Sequence, residues 1–505
     1  MALTRQNVFN LGSDWAEPIL WYARGVKAMK TKTDDLADRN GWRFYAAIHG
    51  FDDQVWQQLG FWKPSDNMPP NGEQKLFWSQ CQHGSWYFLP WHRGYLLAFE
   101  AVVRAEIAKV LGGPTDWTLP YWNYFKSGQN QLPPAFASPD WPDGTGDNPL
   151  FVNQRYGPND NGKVFVDTSQ VDLNAMGDSD FTGVANGGPL GFGGPDTGFM
   201  HGGRHHGGLE AQPHDMVHVL VGGFNRPGLM SDPDTAGLDP IFWLHHANID
   251  RLWEVWRQDP AGRANPREPN WLNGPVSVGQ RKFSLPMAGG TQWDYTPADM
   301  ADLAKLGYTY DDLSPVAGVE HPADRLERLG IRSAITEGVK GVAPVETRKR
   351  VELIGSSSTP LHIAGTEARA TVRLDPAVRR KVAASLEAVD VEAPAEPDRV
   401  FLNLENIRAI SGSPALQIYI KAPGRPEVRA GSVGLFGLRK ASDKDLEHAG
   451  QGLSFVLDIT KVVDALHLSH ALDVDALEIR VAPLKPVPEE AQLSIGKLSL
   501  FRQGR

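Results

Sequence analysis

The sequence predicts a mainly α-helical N-terminal domain followed by an all-β, sandwich-like C-terminal domain. Three observations carry this expectation. All 16 Trp lie between Trp15 and Trp293, which concentrates the large core-forming rings in the first part of the chain. In that part apolar residues recur at helical spacing, at Leu96, Phe99 and Val103 and again at Phe242, Ile249 and Trp253. Later, runs such as VFLNLENI, LQIYIKA, LSFVLDI and LEIRVAPL alternate apolar and polar residues between Gly, Pro and charged turns, as strands do. The expected division is a helical domain over residues 1–310, a charged connector broken by Pro, Gly and Ala over 311–344, and a β-rich domain over 345–505.

The bulk properties fit that division. A chain of 505 residues is too long for one ordinary domain. Its 41% hydrophobic and 22% charged content suits a globular protein with a substantial core. A formal charge of −10 with no dominant basic patch argues against a nucleic-acid partner. No apolar run approaches the length of a membrane span. The opening MALTRQNVFNLGSDW has neither a charged segment leading into an apolar one nor a twin arginine, so a cytoplasmic location is expected, with export by another route left open. Cys81 is the single cysteine, which rules out an internal disulfide.

Histidines mark the helices in order. His49 follows WRFYAAI and precedes Gly50, at the end of a helix. His92 heads the stripe of Leu96, Phe99 and Val103, and Gly112-Gly113-Pro114 ends that helix. Residues Gly183 to Gly208 hold too much glycine for a helix or strand and read as a flexible segment. His214 and His218 are four apart, on one face of a helix closed by Gly222-Gly223. His246 shares a stripe with Phe242, Ile249, Trp253 and Trp256, which leaves His245 rotated by about 100° off that face. An α-helical bundle lined with imidazoles is where bundles build metal sites.

A lone inward His is more often a satisfied core residue than a ligand. Burying His49, His83, His92, His214, His218 and His246 together is unfavourable unless each finds a partner, and a metal supplies three at once. Imidazole suits Zn, Cu, Fe and Ni. The absence of carboxylates or thiolates at fitting positions, together with the aromatic surroundings, points to a pair of copper ions. HDMVH also has the spacing of the zinc-hydrolase pattern HExxH, with Asp215 in place of its Glu. That reading leaves His49, His83, His92 and His246 without a role and is set aside.

FLPWHR with a His nine residues before it, and DPIFWLHHANIDRLW, resemble the copper A and copper B motifs of the type-3 copper proteins, the family of tyrosinases, catechol oxidases, polyphenol oxidases and haemocyanins. Similarity spans most of residues 1–260. The resemblance implies a four-helix bundle whose two copper ions bind O2 as a bridging peroxide and oxidise o-diphenols to o-quinones, with o-hydroxylation of monophenols as a further activity. It assigns copper A to His49, His83 and His92, and copper B to His214, His218 and His246. It implies a thioether between Cys81 and His83. Glu210, four residues before His214, takes the position of an acidic residue that holds a water, with the reach of a general base. Asp215 stands where strong monophenol hydroxylases of the family often carry Asn, and Val219 follows His218. A carboxylate of Asp215 at the pocket mouth would favour amine-bearing or uncharged phenols over acids. Phe88 and Phe242, each one turn before a ligand, would wall the pocket. Asp250, one turn after His246, would orient a ligand ring or pair with Arg251. The stretches DRVFLNLENIRAI and LSIGKLSLF resemble the C-terminal domain of latent polyphenol oxidases, which covers the copper pocket. Leu435 and Phe436, between Gly434 and Gly437, are the candidate plug. O2 and small phenols are the expected partners, with no nucleic acid or membrane, and oligomerisation is left open. The other readings are a haemocyanin-like O2 carrier and an o-aminophenol oxidase.

Overall fold

The computed structural model describes residues 2–504 apart from 33–34, 185–186, 227, 260–261, 317, 321, 331–349, 388–396 and 445–449. Five helices position the histidines or pack against those that do: α1 (Glu17–Lys30), α2 (Trp42–His49), α3 (Phe88–Ala105), α4 (Met216–Gly222) and α5 (Pro240–Arg257). In α5 every residue from Pro240 to Trp256 is buried, so this helix has no solvent face. Its start is fixed chemically. Asp239 accepts from the Ile241 N–H as N-cap, Pro240 occupies the first turn, and buried Arg155 pairs with Asp239 at 2.6 Å. Helix α2 is likewise buried at all eight positions. Helix α4 is entered through a kinked segment, Glu210–Asp215, whose Gln212 has extended backbone (φ −144°, ψ 123°), and ends at Gly223, whose φ of +109° an L side chain would adopt only under strain.

A second core lies in the C-terminal part. Nine strands, β1 (Arg350–Ser357), β2 (Leu361–His362), β3 (Ala368–Leu374), β4 (Arg399–Arg408), β5 (Ala415–Lys421), β6 (Val428–Gly434), β7 (Leu453–Asp458), β8 (Ala476–Pro483) and β9 (Ser494–Gly504), form one sheet. Its order is β6-β5-β8-β3-β1-β9-β4-β7, with β2 also on β9, and every pairing is antiparallel. The two end strands β6 and β7 lie against each other, so the sheet is nearly closed.

Two expectations are corrected here. The domain is one curled sheet, not two packed sheets, because the eleven-residue β9 pairs along its length with β4 on one side and β1 on the other. Nor is it all β: α6 (Pro376–Glu387), α7 (Leu438–Ser442) and α8 (Thr460–Leu468) belong to it. Val378, Val382 and Leu386 recur every fourth residue on α6 and are all buried, a stripe that was there to be read. The expected connector holds a helix, Pro322–Arg328, whose Arg325 is buried in a bidentate pair with Asp464 at 2.9 Å on both oxygens; residues 331–344 of that connector lie outside the described residues. Among the described residues no helix is long and apolar enough to cross a membrane.

Candidate metal centre

The sequence-predicted ligands come together at the centre of the helical part. His49 closes α2, His92 sits in the second turn of α3, His214 and His218 straddle the start of α4, and His246 lies mid-α5. His83 precedes α3 in a loop fixed by its own backbone, its N–H donating to the Met200 carbonyl (3.2 Å) and its carbonyl accepting from Gly203 (2.8 Å). All six are buried. Ring centroids link them into one cluster: His83 to His92 at 5.3 Å, His49 to His83 at 5.3 Å, His214 to His218 at 4.5 Å, and His92 to His246 at 4.5 Å.

Hydrogen bonds fix which nitrogen four of the six rings offer. Nδ1 donates to Pro233 O in His49 (2.7 Å), to Phe88 O in His92 (2.8 Å), to Met230 O in His218 (2.8 Å) and to Asp215 Oδ1 in His214 (2.9 Å). With the proton held at Nδ1, Nε2 carries the lone pair. Among the described residues the Nε2 atoms of His49, His83, His92 and His214 have no hydrogen-bond partner, and His218 Nε2 meets only His246 Nε2 at 3.3 Å. Burial lowers the His49 pKa to about 4 and those of His83, His92, His214, His218 and His246 well below the usual imidazole range, so these rings are neutral. A set of buried, neutral, unpartnered imidazole lone pairs is costly by itself and fits metal ions. Among the described residues, three groups each bring their ligand atoms within 4.8 Å of one another: His214, His218, His245 and His246; His49, His92 and His246; and His49, Cys81 and His83.

His245 is a correction. Off the α5 stripe it was expected outside the cluster, yet its ring stacks on His214 at 5.4 Å and lies 4.9 Å from His218. A helix buried on all sides has no face to turn away. Its Nδ1, however, faces the Tyr124 hydroxyl (3.3 Å), which can itself donate, so its tautomer is not fixed as in the others.

Asp215 does not sit at a mouth. It is fully buried, with one oxygen on His214 Nδ1 and the other on His206 Nδ1 at 2.6 Å. Glu210 is also buried, accepting from Gly84 N–H at 2.9 and 3.1 Å. Burial drives the Glu210 carboxyl upward. His206, in the glycine-rich segment and not singled out from the sequence, goes up to about 9: burial opposes its charge, but Asp215 and Glu210 outweigh that. Asp250 touches no ligand ring. It binds Arg93 Nε (2.5 Å), Arg5 Nη1 (3.4 Å) and the hydroxyls of Tyr308 (2.6 Å) and Tyr310 (2.5 Å), while Arg251 instead donates to Asn248 and to the Asp312 carbonyl.

Phe88 packs 4.6 Å from His92 and 4.7 Å from His214, and Phe242 lies 4.1 Å from His246 and 4.9 Å from His49. Val219 is buried beside His218. Cys81 Sγ is 3.3 Å from His83 Nδ1 and 3.1 Å from His201 Nδ1. From the C-terminal part, Phe436 stacks on His218 at 4.1 Å with 20° between planes and meets His83 and His214 edge-on at 5.7 and 5.6 Å. Phe436 thus belongs to the helical core, whereas its neighbour Leu435 is buried in the C-terminal one. Next along, Arg439 pairs with Asp52 (3.0 Å), Asp232 (2.7 Å) and Asp234 (2.7 Å), and Lys440 reaches Asp234 (2.6 Å) and His201 Nε2 (2.7 Å).

Comparison with known proteins agrees with this geometry. The family model described as the common central domain of tyrosinase matches residues 39–178 and 191–259, and a domain of unknown function matches 350–503. The tyrosinase HcTyr1 of Hahella sp. (strain CCB-MM4) is 33% identical over 518 residues, covering 99% of both chains. The chain belongs to the tyrosinase family of type-3 copper proteins. A chloroplastic polyphenol oxidase of Malus domestica is 25% identical over 68% of this chain and 54% of its own. Among solved structures, latent apple tyrosinase superposes with a TM-score of 0.58 at 20% identity, covering 99% of this chain and 97% of its own. A latent aurone synthase gives 0.55 at 18%, covering 100% and 90%. These likenesses extend through the C-terminal domain and show a shared fold. This tyrosinase-family protein is a copper oxidoreductase, and its cofactor is a pair of copper ions.

Proposed function

We propose that the protein oxidises o-diphenols to o-quinones with O2, that it also o-hydroxylates monophenols, and that its C-terminal domain keeps it latent. The observation that carries this reading is the set of unpartnered Nε2 atoms within one buried histidine cluster, on which the Phe436 ring stacks at His218. Helices α2 to α5 would act as a four-helix bundle around the metal. His49, His83 and His92 would hold copper A, and His214, His218 and His246 copper B. His246 is preferred to His245 because its ring lies between the two groups, against His92 and Phe242.

The copper pair, when bound, supplies O2 binding and the electron transfer that turns two diphenols and one O2 into two quinones and two waters. The chain's own residues supply the rest. Carbonyls at Pro233, Phe88 and Met230 keep protons on Nδ1, so the metal-facing nitrogens need no reorganisation. Phe88 and Phe242 exclude water beside the rings. Phe436 marks where an aromatic substrate ring would stack on His218. Glu210, held by the Gly84 N–H, would take the phenolic proton through a water. A thioether between Cys81 and His83 would lock that ring; it would lower the chain mass by about 2 Da, the two hydrogens lost.

The test is quinone formation and O2 uptake by the copper-loaded chain with a catechol, before and after displacement of the C-terminal domain. Two coppers per chain and rapid quinone production after displacement are expected. O2 binding without quinone would instead indicate a carrier, and nitroso or quinone-imine products from an o-aminophenol would indicate aminophenol oxidation.

A further inference from the structure

Two side chains outside the ligand set, His206 and Asp215, form an ordered chain ending on His214. His206 is buried and has acceptors on both nitrogens: Nδ1 faces Asp215 Oδ2 at 2.6 Å, and Nε2 faces the Gly203 carbonyl at 3.2 Å. A carbonyl only accepts, so Nε2 carries hydrogen. Asp215 Oδ1 in turn lies 2.9 Å from His214 Nδ1, which must be protonated if His214 Nε2 is to offer a lone pair. One carboxylate therefore accepts from two imidazoles, and its negative charge has a single close counterpart, His206.

The position of His206 is set by the C-terminal domain. Strand β7 is an end strand of the sheet, and the segment before His206 continues the sheet beyond it. Ser454 N–H donates to Arg204 O at 2.8 Å, His205 bridges to Ser454 in parallel, and the Phe455 ring lies 5.7 Å from the His206 ring.

We propose that His206 is a positioning residue for copper B: by donating from both nitrogens it anchors Asp215, and Asp215 turns His214 so that Nε2 faces the metal. This rests on the assignment of His214 as a ligand. It gives the docked C-terminal domain a second effect besides covering the pocket, because β7 holds the far end of the relay.

The test uses full-length, copper-loaded protein and reads copper release to a competing chelator. In His206→Leu, one of the two coppers should bind about 10–100-fold more weakly, the scale of losing an outer hydrogen-bond partner of a ligand, while the other is unchanged. His206→Gln, whose amide still donates to Asp215, should recover most of that loss. Release of both coppers as in the unsubstituted protein, or an equal weakening of both coppers in the Leu and Gln variants alike, overturns the proposal. Should His206→Leu not fold, Asp215→Ala, which can accept from neither imidazole, should likewise weaken one copper alone, and tight binding of both overturns the relay. His214→Ala separates the two claims: it should hold one copper, and retention of two would overturn the ligand assignment itself.

Discussion

Asp250 sits buried between the guanidinium groups of Arg93 and Arg5, at 2.5 and 3.4 Å. One turn beyond His246, it looked like a group that could orient a ligand ring. In the fold it gathers Arg93, Arg5, Tyr308 and Tyr310 around one carboxylate, tying α5 to α3 and to the short N-terminal strand Leu3–Arg5. Arg5 and Arg93 are themselves fully buried, and the Arg93 guanidinium stacks 3.8 Å over Trp253. Burial of the carboxylate is outweighed by the two arginines, which hold its pKa below the ordinary range. Asp250→Asn takes the carboxylate from buried Arg93, while Arg5 keeps Glu100 at 2.9 Å, and breaking a buried pair from one side costs about 3–5 kcal/mol. Denaturant unfolding should show a loss of that order; a loss within about 0.5 kcal/mol, as at an ordinary surface site, would mean the arginines re-pair elsewhere. Copper content of the folded fraction should remain two per chain, since no ligand ring is touched.

Among the elements, α7 is one point where the two cores are fastened. Arg439 and Lys440 at its head place two cations on Asp52, Asp232 and Asp234, and Asp234 is almost fully buried there. Burial alone would raise the Asp234 pKa, but Lys440 and Arg439 outweigh it and hold it at about 2. A carboxylate depressed by docking contributes in full above its ordinary pKa near ~4 and loses that contribution only as pH falls through the depressed value. The Asp234 contribution therefore stays complete from neutral pH down to about 4 and fades towards 2. Asp234→Asn should weaken docking by about 3 kcal/mol at neutral pH, roughly a hundredfold in local opening. Hydrogen exchange of the α7 amides, corrected for intrinsic rate, would report it. Exchange should be faster in the variant at pH 7, with the gap closing towards pH 2; equal protection at pH 7 would remove Asp234 from the fastening.

For the whole molecule, the sequence was most informative where local pattern and tertiary role coincide. Helical stripes placed His92, His218 and His246 on inward faces, and the glycine-flanked Leu435-Phe436 pair stood out between strands. It was least informative where a segment takes its shape from distant neighbours. The glycine-rich stretch read as flexible because composition alone does not separate a loose loop from one packed backbone to backbone. In fact a Cβ on Gly203 would lie 2.5 Å from the His83 carbonyl oxygen, and this close approach is what brings His201 and His206 to the centre. The same physics governs how the two cores meet. Gly434 lies against the start of α4, where an added Cβ would come 2.7 Å from Met216 Cα and 2.9 Å from the Asp215 carbonyl oxygen. Backbone atoms cannot yield as a flexible side chain would, so Gly434→Ala should push the Leu435-Phe436 turn off the histidine cluster as a body. Phe436→Ala, by contrast, removes the ring and leaves the domain docked, opening space for one small aromatic molecule. Both variants should raise catechol oxidation by the intact chain at least about tenfold, equivalent to about 1.4 kcal/mol of restored access. They should differ in substrate size: a bulky diphenol should gain only in Gly434→Ala, because in Phe436→Ala the rest of the turn still covers the rings. If both variants carry two coppers and remain as inactive as the unsubstituted chain, latency does not come from Phe436 occupying the substrate space.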